Sequence, residues 1–138
     1  MVGLILDSSV AIRAERDAIS PRDFLLKIRS LSDAEDVGLS AIGVTELIHG
    51  IYRADSIARA DRRRRFLTSL LEDLPVFPYT LEIAQIAGRI DGEQTRSGNI
   101  IPFIDLLIGA TALAHHYAVL TTNVRHFRMI PNLEVLSL

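Results

Sequence analysis

The sequence predicts an α/β fold, an α/β/α sandwich in which helices cover both faces of a mostly parallel central sheet of about five strands. Short apolar segments alternate with longer stretches of helical periodicity, which is the pattern of a parallel sheet covered on both faces. A chain of 138 residues suits one domain, spanning residues 1–138, that buries a real core. Its 49% hydrophobic content, with 23% charged residues, is typical of a globular protein and excludes a disordered one.

The first part of the chain predicts strand, helix, helix and strand. Residues 2–6 form an apolar strand that ends at Asp7, and Ser8 and Ser9 are expected to cap a helix from Val10 to about Arg16. Ser20 and Pro21 then begin a second helix, which ends in the acidic turn 33–36. Residues 37–40 form the second strand.

Two helices with apolar stripes follow. The stripe of the first, which starts near Ile42, has a spacing of three and four residues and comprises Val44, Leu47, Ile48 and Ile51. The stripe of the second comprises Phe66, Leu67, Leu70, Leu71 and Leu74. Pro75 stops that helix, and residues 76–77 form a brief strand. A further helix begins at the cap Thr80 and ends at Gly98 and Asn99.

The last part predicts a buried helix and two strands. Pro102 suits the first position of a helix that runs to about Tyr117. Residues 119–121 form a fourth strand, residues 124–128 one helical turn, and residues 133–136 the last strand.

Asp105 is the single ionisable residue in the apolar stretch 100–114. A helix that is hydrophobic on every side belongs inside the protein, where a carboxylate must become neutral, find a partner or bind a metal. The stretch contains no Lys or Arg. Asp105 is therefore a candidate functional residue at the start of a helix.

Two more acids join Asp105 in the predicted fold, because Asp7 follows the first strand and Glu46 lies early in a helix. Asn123 follows the fourth strand, and would meet Asp7 if the two strands are neighbours. Carboxylates brought close together repel one another by roughly 4 kcal/mol per pair at an effective dielectric near 20. A hard divalent cation, Mg²⁺ or Mn²⁺, removes that repulsion, whereas the absence of Cys argues against structural zinc.

Four segments carry a resemblance to a known family. They are residues 6–10 (LDSSV), 45–50 (TELIHG), 102–112 (PFIDLLIGATA) and 121–127 (TTNVRHF). In this order and over nearly the whole chain they resemble the PIN-domain family, and within it the VapC-type toxins of toxin–antitoxin pairs.

The resemblance implies a Mg²⁺-dependent endoribonuclease that forms a homodimer and is inhibited by a cognate antitoxin. Carried over by position, Asp7 and Asp105 are expected to bind the metal directly, and Glu46 to be a third acidic ligand, directly or through water. Asn123 stands where many members have a fourth acid, and His126 where members with Asn often have one. The predicted catalytic residues are thus Asp7, Glu46, Asp105 and Asn123.

Several polar residues have two interpretations. Ser8 and Thr121 are expected to orient the carboxylates, although an ordinary turn role would also explain them. Asp7 alone could cap a helix, and Glu46 alone could be an exposed acid in a first turn. Arg62 and Arg63 belong to an Arg cluster that either contacts RNA or an acidic partner or is a solvated helix face. His126 is expected to contact RNA phosphate or a partner.

Other functions fit less well. The net charge of −2 does not by itself indicate a nucleic-acid binder. An aspartyl-phosphate phosphatase needs an acid where Ser9 stands, and no P-loop follows the first strand. A non-catalytic PIN-like module that binds RNA or protein remains the alternative. We expect a cytoplasmic protein, since the first seven residues lack a signal peptide and no segment suits a membrane span.

Overall fold

The computed structural model describes residues 3–138. Its five strands form one sheet with the order β3-β2-β1-β4-β5, and every neighbouring pair is parallel. The strands are β1 (Gly3–Leu6), β2 (Asp36–Ser40), β3 (Val76–Phe77), β4 (Ala118–Thr121) and β5 (Val135–Ser137). This architecture confirms the predicted α/β/α sandwich. Val2, which the sequence assigns to the first strand, lies outside the described residues.

Helices connect the strands and cover the sheet. They are α1 (Ser8–Arg16), α2 (Pro21–Leu31), α3 (Ala41–Tyr52), α4 (Ile57–Asp73), α5 (Leu81–Arg96), α6 (Phe103–Ala114) and α7 (Val124–Phe127). Among residues 3–138, no helix combines the length and the apolar content needed to cross a membrane.

Two apolar cores lie on opposite faces of the sheet because successive strand residues point in opposite directions. Leu4 and Leu6 of β1 belong to the core that includes residues of α1, α2 and α4. Ile5, between them, belongs to the core that includes residues of α5, α6 and α7. Strands buried on both faces need continuous apolar sequence, which explains the short apolar runs.

Helix α1 begins earlier than the sequence predicts. Asp7 occupies its N-cap position without accepting a hydrogen bond there, and Ser8 is the first helical residue. The expectation that Ser8 and Ser9 cap this helix is therefore wrong. Their hydroxyl groups are used in long-range contacts with other parts of the chain.

The boundaries of α6 also differ from the prediction. Pro102 is the N-cap residue and not the first helical residue, and Asp105 still lies in the first turn. The helix ends at Ala114, three residues early. His116 adopts a positive φ of 58°, which reverses the chain toward β4.

Candidate active site

The candidate site lies at the carboxyl end of β1, where the strand order reverses. The chain goes from β1 to β2 on one side of the sheet and reaches β4 on the other. Ligands of open α/β sheets bind in the crevice at such a point. The backbone N–H of Asp7 donates to the carbonyl oxygen of Leu120 at 2.9 Å, so the β1–β4 pairing extends to this residue.

Two hydroxyl groups hold the buried carboxylate of Asp7, which is 1% exposed. Its Oδ2 accepts hydrogen bonds from Ser9 Oγ at 2.6 Å and from Thr121 Oγ1 at 2.8 Å. Ser9 Oγ also accepts the backbone N–H of Thr122 at 3.1 Å. Asp7 is thus fixed between the start of α1 and the end of β4.

Glu46 approaches from α3, whose first turn is capped by the Ser40 hydroxyl accepting the N–H of Gly43 at 2.9 Å. Ser8 Oγ donates to Glu46 Oε1 at 2.7 Å. Burial raises the pKa of Glu46 above its ordinary value of 4.5, and the charges of Asp7 and Asp105 raise it further. Because Glu46 is half-buried and lies in the second turn of the helix, the alternative of an exposed first-turn acid does not describe it.

Asp105 completes the group from the first turn of α6 and is 9% exposed. Its Oδ2 lies 2.8 Å from Nδ1 of His126 in α7. Burial raises the pKa of Asp105 above its ordinary value of 3.8, and the charge of Asp7 adds to this, while the contact with His126 opposes it. The three predicted acids therefore share one crevice and repel one another.

The hydrogen bonds follow a common pattern. In each carboxylate one oxygen accepts from a neighbouring donor, namely Oδ2 of Asp7, Oε1 of Glu46 and Oδ2 of Asp105. Within residues 3–138 we find no hydrogen bond to the second oxygen of any of the three. One oxygen of each carboxylate therefore has no hydrogen-bond partner among these residues that a ligand would have to displace.

This donor set suits a hard divalent cation, since oxygen ligands with room for water are what Mg²⁺ prefers. Across residues 3–138, however, no three His, Asp or Glu side chains form a ready metal-binding cluster. The predicted roles of Asp7 and Asp105 as direct ligands, and of Glu46 as a third ligand directly or through water, therefore stay predictions.

The remaining predicted site residues occupy different places. Ser8 and Thr121 make the hydrogen bonds that an orienting role requires. Asn123 follows β4 as expected, but its side chain is exposed and makes no hydrogen bond within residues 3–138. Its backbone N–H donates to Thr121 Oγ1 at 2.8 Å. Sequence reasoning missed that Ser9 donates to Asp7, although its place two residues after the acid was a signal.

Arg62 and Arg63 lie on α4 and contact Glu15 instead of the carboxylate crevice. Arg62 Nε is 3.3 Å from Glu15 Oε1, and Arg63 Nε is 3.9 Å from Oε2. Arg63 also donates to the carbonyl oxygen of Gly50 at 2.6 Å. Both guanidinium groups thus join helices within the fold, and their predicted contact with RNA or a partner stays a prediction.

Replacing Thr121 with Val is expected to loosen Asp7, because the buried carboxylate loses a donor without a change in side-chain size. The free energy of unfolding should fall by about 1–3 kcal/mol, and Mn²⁺ affinity by about tenfold or more. Urea unfolding and calorimetric titration measure the two effects. Thr121→Ser, which keeps the hydroxyl, should restore most of the affinity; equal losses in both variants would contradict the assignment.

The raised pKa values predict how the stability of the metal-free protein depends on pH. Folded Glu46 and Asp105 hold protons at pH values where the unfolded chain has released them. Their contribution to stability is therefore lost as the pH rises from their ordinary values through the raised ones. Thermal unfolding in EDTA should show a smaller decline over this range for Glu46→Gln/Asp105→Asn than for the wild type. An identical profile for the two proteins would contradict the shared crevice.

The fold and the site together define a class of protein: an all-parallel α/β/α domain with three carboxylates where the strand order reverses. The sequence profile described as PIN domain matches residues 4–132, so the chain belongs to the PIN-domain family. Within that family, its relatives carry the name VapC.

Two of these relatives span nearly the whole chain. Ribonuclease VapC of Rickettsia bellii is 31% identical over 99% of this chain and 96% of that protein. Ribonuclease VapC10 of Mycobacterium tuberculosis is 33% identical over 95% of this chain and 90% of that protein. The resemblance to the VapC group inferred from the four segments is thereby confirmed.

Solved structures have the same fold. VapBC2 from Rickettsia felis, crystallised with a promoter DNA fragment, contains a chain that superimposes with a TM-score of 0.85 at 22% identity, covering 99% of both chains. FitAcB from Neisseria gonorrhoeae gives a TM-score of 0.80 at 27% identity, covering 96% of both chains.

Proposed function

We propose that the protein is a Mg²⁺-dependent endoribonuclease that acts as the toxin of a toxin–antitoxin pair, with Mn²⁺ as an alternative ion. The observation that supports this most is the crevice in which Asp7, Glu46 and Asp105 each have one oxygen that makes no hydrogen bond with residues 3–138. The ribonuclease names of the relatives agree with it. The reaction is hydrolysis of an RNA phosphodiester bond.

The three acids have two different roles in this reaction. A bound divalent ion would polarise the phosphoryl oxygen and lower the pKa of a water molecule. Asp7 and Asp105 hold the cation site in place, because hydrogen bonds fix one oxygen of each carboxylate. Glu46 is suited to accept the proton of the attacking water, because its pKa is raised and its Oε1, and not its Oε2, accepts the Ser8 hydroxyl.

The test is cleavage of a defined RNA by purified protein in Mg²⁺, in EDTA, and after Mn²⁺ is added back. We expect cleavage in the first and third conditions and none in the second. Cleavage that persists in EDTA would rule out a requirement for a divalent metal ion. Binding of RNA without cleavage in any condition would instead support the non-catalytic module, which the exposed, neutral Asn123 favours.

We also propose a cognate antitoxin as partner, as the VapBC complexes among the structural neighbours suggest. A cavity of about 320 Å³ between α1, α3 and α4 has an apolar floor that suits a peptide segment. Its floor includes Leu47, Phe66, Leu67 and Leu70. Co-expression with the adjacent small open reading frame should relieve growth inhibition by the toxin and should yield a complex. Failure of both would contradict the proposed partner.

The homodimer expected from the family is proposed on exposed apolar side chains of α3, α4 and α5. They include Ile48, Tyr52, Ile57, Leu71 and Leu81. Light scattering should give twice the 15.3 kDa mass of the chain. A monomer at all concentrations would contradict the dimer.

A further inference from the structure

A second groove begins beside the carboxylate crevice and follows α1. Its volume is about 370 Å³. It is lined by Ser9, Ile12, Arg13, Arg16, Asp17 and Thr122. The apolar cavity between α1, α3 and α4 shares with it only Ile12 and Arg16.

Ser9 connects the groove to the candidate site. Its hydroxyl donates to Asp7 Oδ2 and accepts the N–H of Thr122, so one residue belongs to both places. Arg13 and Arg16 follow Ser9 by four and seven residues, a spacing that puts all three on one side of α1. The Cα atoms of the two arginines therefore lie roughly 6 and 10 Å along the helix axis from Ser9.

The two arginines of this groove can each bind an anion at little cost. Arg13 Nε lies 4.0 Å from Asp17 Oδ2, and both side chains are more than half exposed. An exposed pair at that distance contributes little and exchanges readily. Arg16 is exposed and makes no ion pair within residues 3–138. Arg62 and Arg63, in contrast, pair with Glu15, whose side chain is only 10% exposed.

We propose that this groove binds the phosphate backbone of single-stranded RNA beside the bond that is cut, with Arg13 and Arg16 as the phosphate ligands. This inference rests on the proposed function. The planar guanidinium group matches phosphate geometry with two parallel hydrogen bonds. Ser9 and Thr122 place polar groups where the strand passes from the groove to the carboxylates. The earlier expectation that Arg62 and Arg63 contact RNA or a partner stays a separate prediction.

Fluorescence anisotropy with a labelled 20-nucleotide oligouridylate in EDTA tests the proposal without cleavage. The variant Arg13→Gln/Arg16→Gln should bind about tenfold more weakly than the wild type at low salt. Two lost phosphate contacts should also reduce the slope of log affinity against log salt by about 1.4. The matched control is Arg22→Gln/Arg29→Gln on α2, which removes the same charge from exposed side chains without ion pairs in residues 3–138.

The control variant should bind as the wild type does. Two results would contradict RNA binding by the groove. One is an equal loss of affinity in the two variants. The other is wild-type affinity in Arg13→Gln/Arg16→Gln with unchanged thermal unfolding. Metal-dependent cleavage by the wild type, measured in parallel, distinguishes a failure of the groove proposal from a failure of the proposed function. If the wild type cleaves RNA and the groove variant binds normally, only the groove fails. If the wild type neither cleaves nor binds, the proposed function fails and the groove with it.

Discussion

Replacing Asp105 with Asn is expected to reduce RNA cleavage on the order of 1,000-fold or more. The substitution keeps the size of the side chain but removes the charge that would hold a divalent ion. Asp7→Asn should have the same effect. Both are measured with the defined RNA in Mg²⁺ under single-turnover conditions, and calorimetry with Mn²⁺ should show the loss of binding in the same proteins.

The control for Asp105→Asn is Asp33→Asn, which alters an exposed carboxylate outside the crevice. It should retain full activity. The crevice acids repel one another, so Asp105→Asn should not lower the melting temperature of the metal-free protein. Wild-type cleavage by either Asp7→Asn or Asp105→Asn would refute the assignment of the site.

Truncating Phe127 to Ala is expected to lower the free energy of unfolding by about 3–5 kcal/mol. Phe127 is 0% exposed and belongs to the core beneath α5 and α6. It is the buried residue of α7, a helix of four residues that also carries His126. Loss of its ring should therefore both destabilise the domain and loosen the contact between His126 and Asp105.

Urea unfolding measures this cost, with Phe103→Ala as the matched control. Phe103 begins α6 but is 62% exposed. Its truncation should change the free energy of unfolding by less than about 1 kcal/mol. Similar costs for the two variants would show that α7 is not anchored by its phenylalanine.

The sequence predicts most of the fold because burial leaves regular patterns along the chain. A strand buried on both faces must be apolar, as residues 3–6 and 118–120 are. The amphipathic spacing of α2 and α4 likewise reflects one buried side. Asp105 is conspicuous for the same reason, since a lone acid in an apolar helix needs a structural or chemical explanation.

Contacts within the site are harder to predict because they join residues far apart in the chain. Thr121 reaches Asp7 across 114 positions, and the N–H of Thr122 reaches Ser9 across 113. No local sequence pattern predicts such a pairing. Ser is also a preferred helix-cap residue, so the sequence around Ser8 and Ser9 suggests capping as readily as it suggests contacts with distant parts of the chain. The partner of His126 likewise depends on how α7 packs beside α6.

The arginine cluster illustrates the same limit. An anion-binding surface is suggested by five Arg residues close together in the chain, whichever way their side chains turn: Arg59, Arg62, Arg63, Arg64 and Arg65. Only the fold shows that Glu15 of α1 engages two of them. It also shows that the less conspicuous Arg13 and Arg16 line a groove that begins beside the crevice.

The most direct measurement of the central claim is anomalous diffraction at the manganese edge from crystals soaked in Mn²⁺. We expect a manganese peak in contact with the carboxylates of Asp7 and Asp105, and its loss in Asp105→Asn crystals treated in the same way. A crevice without manganese at saturating Mn²⁺, or an ion bound away from these two carboxylates, would contradict the account.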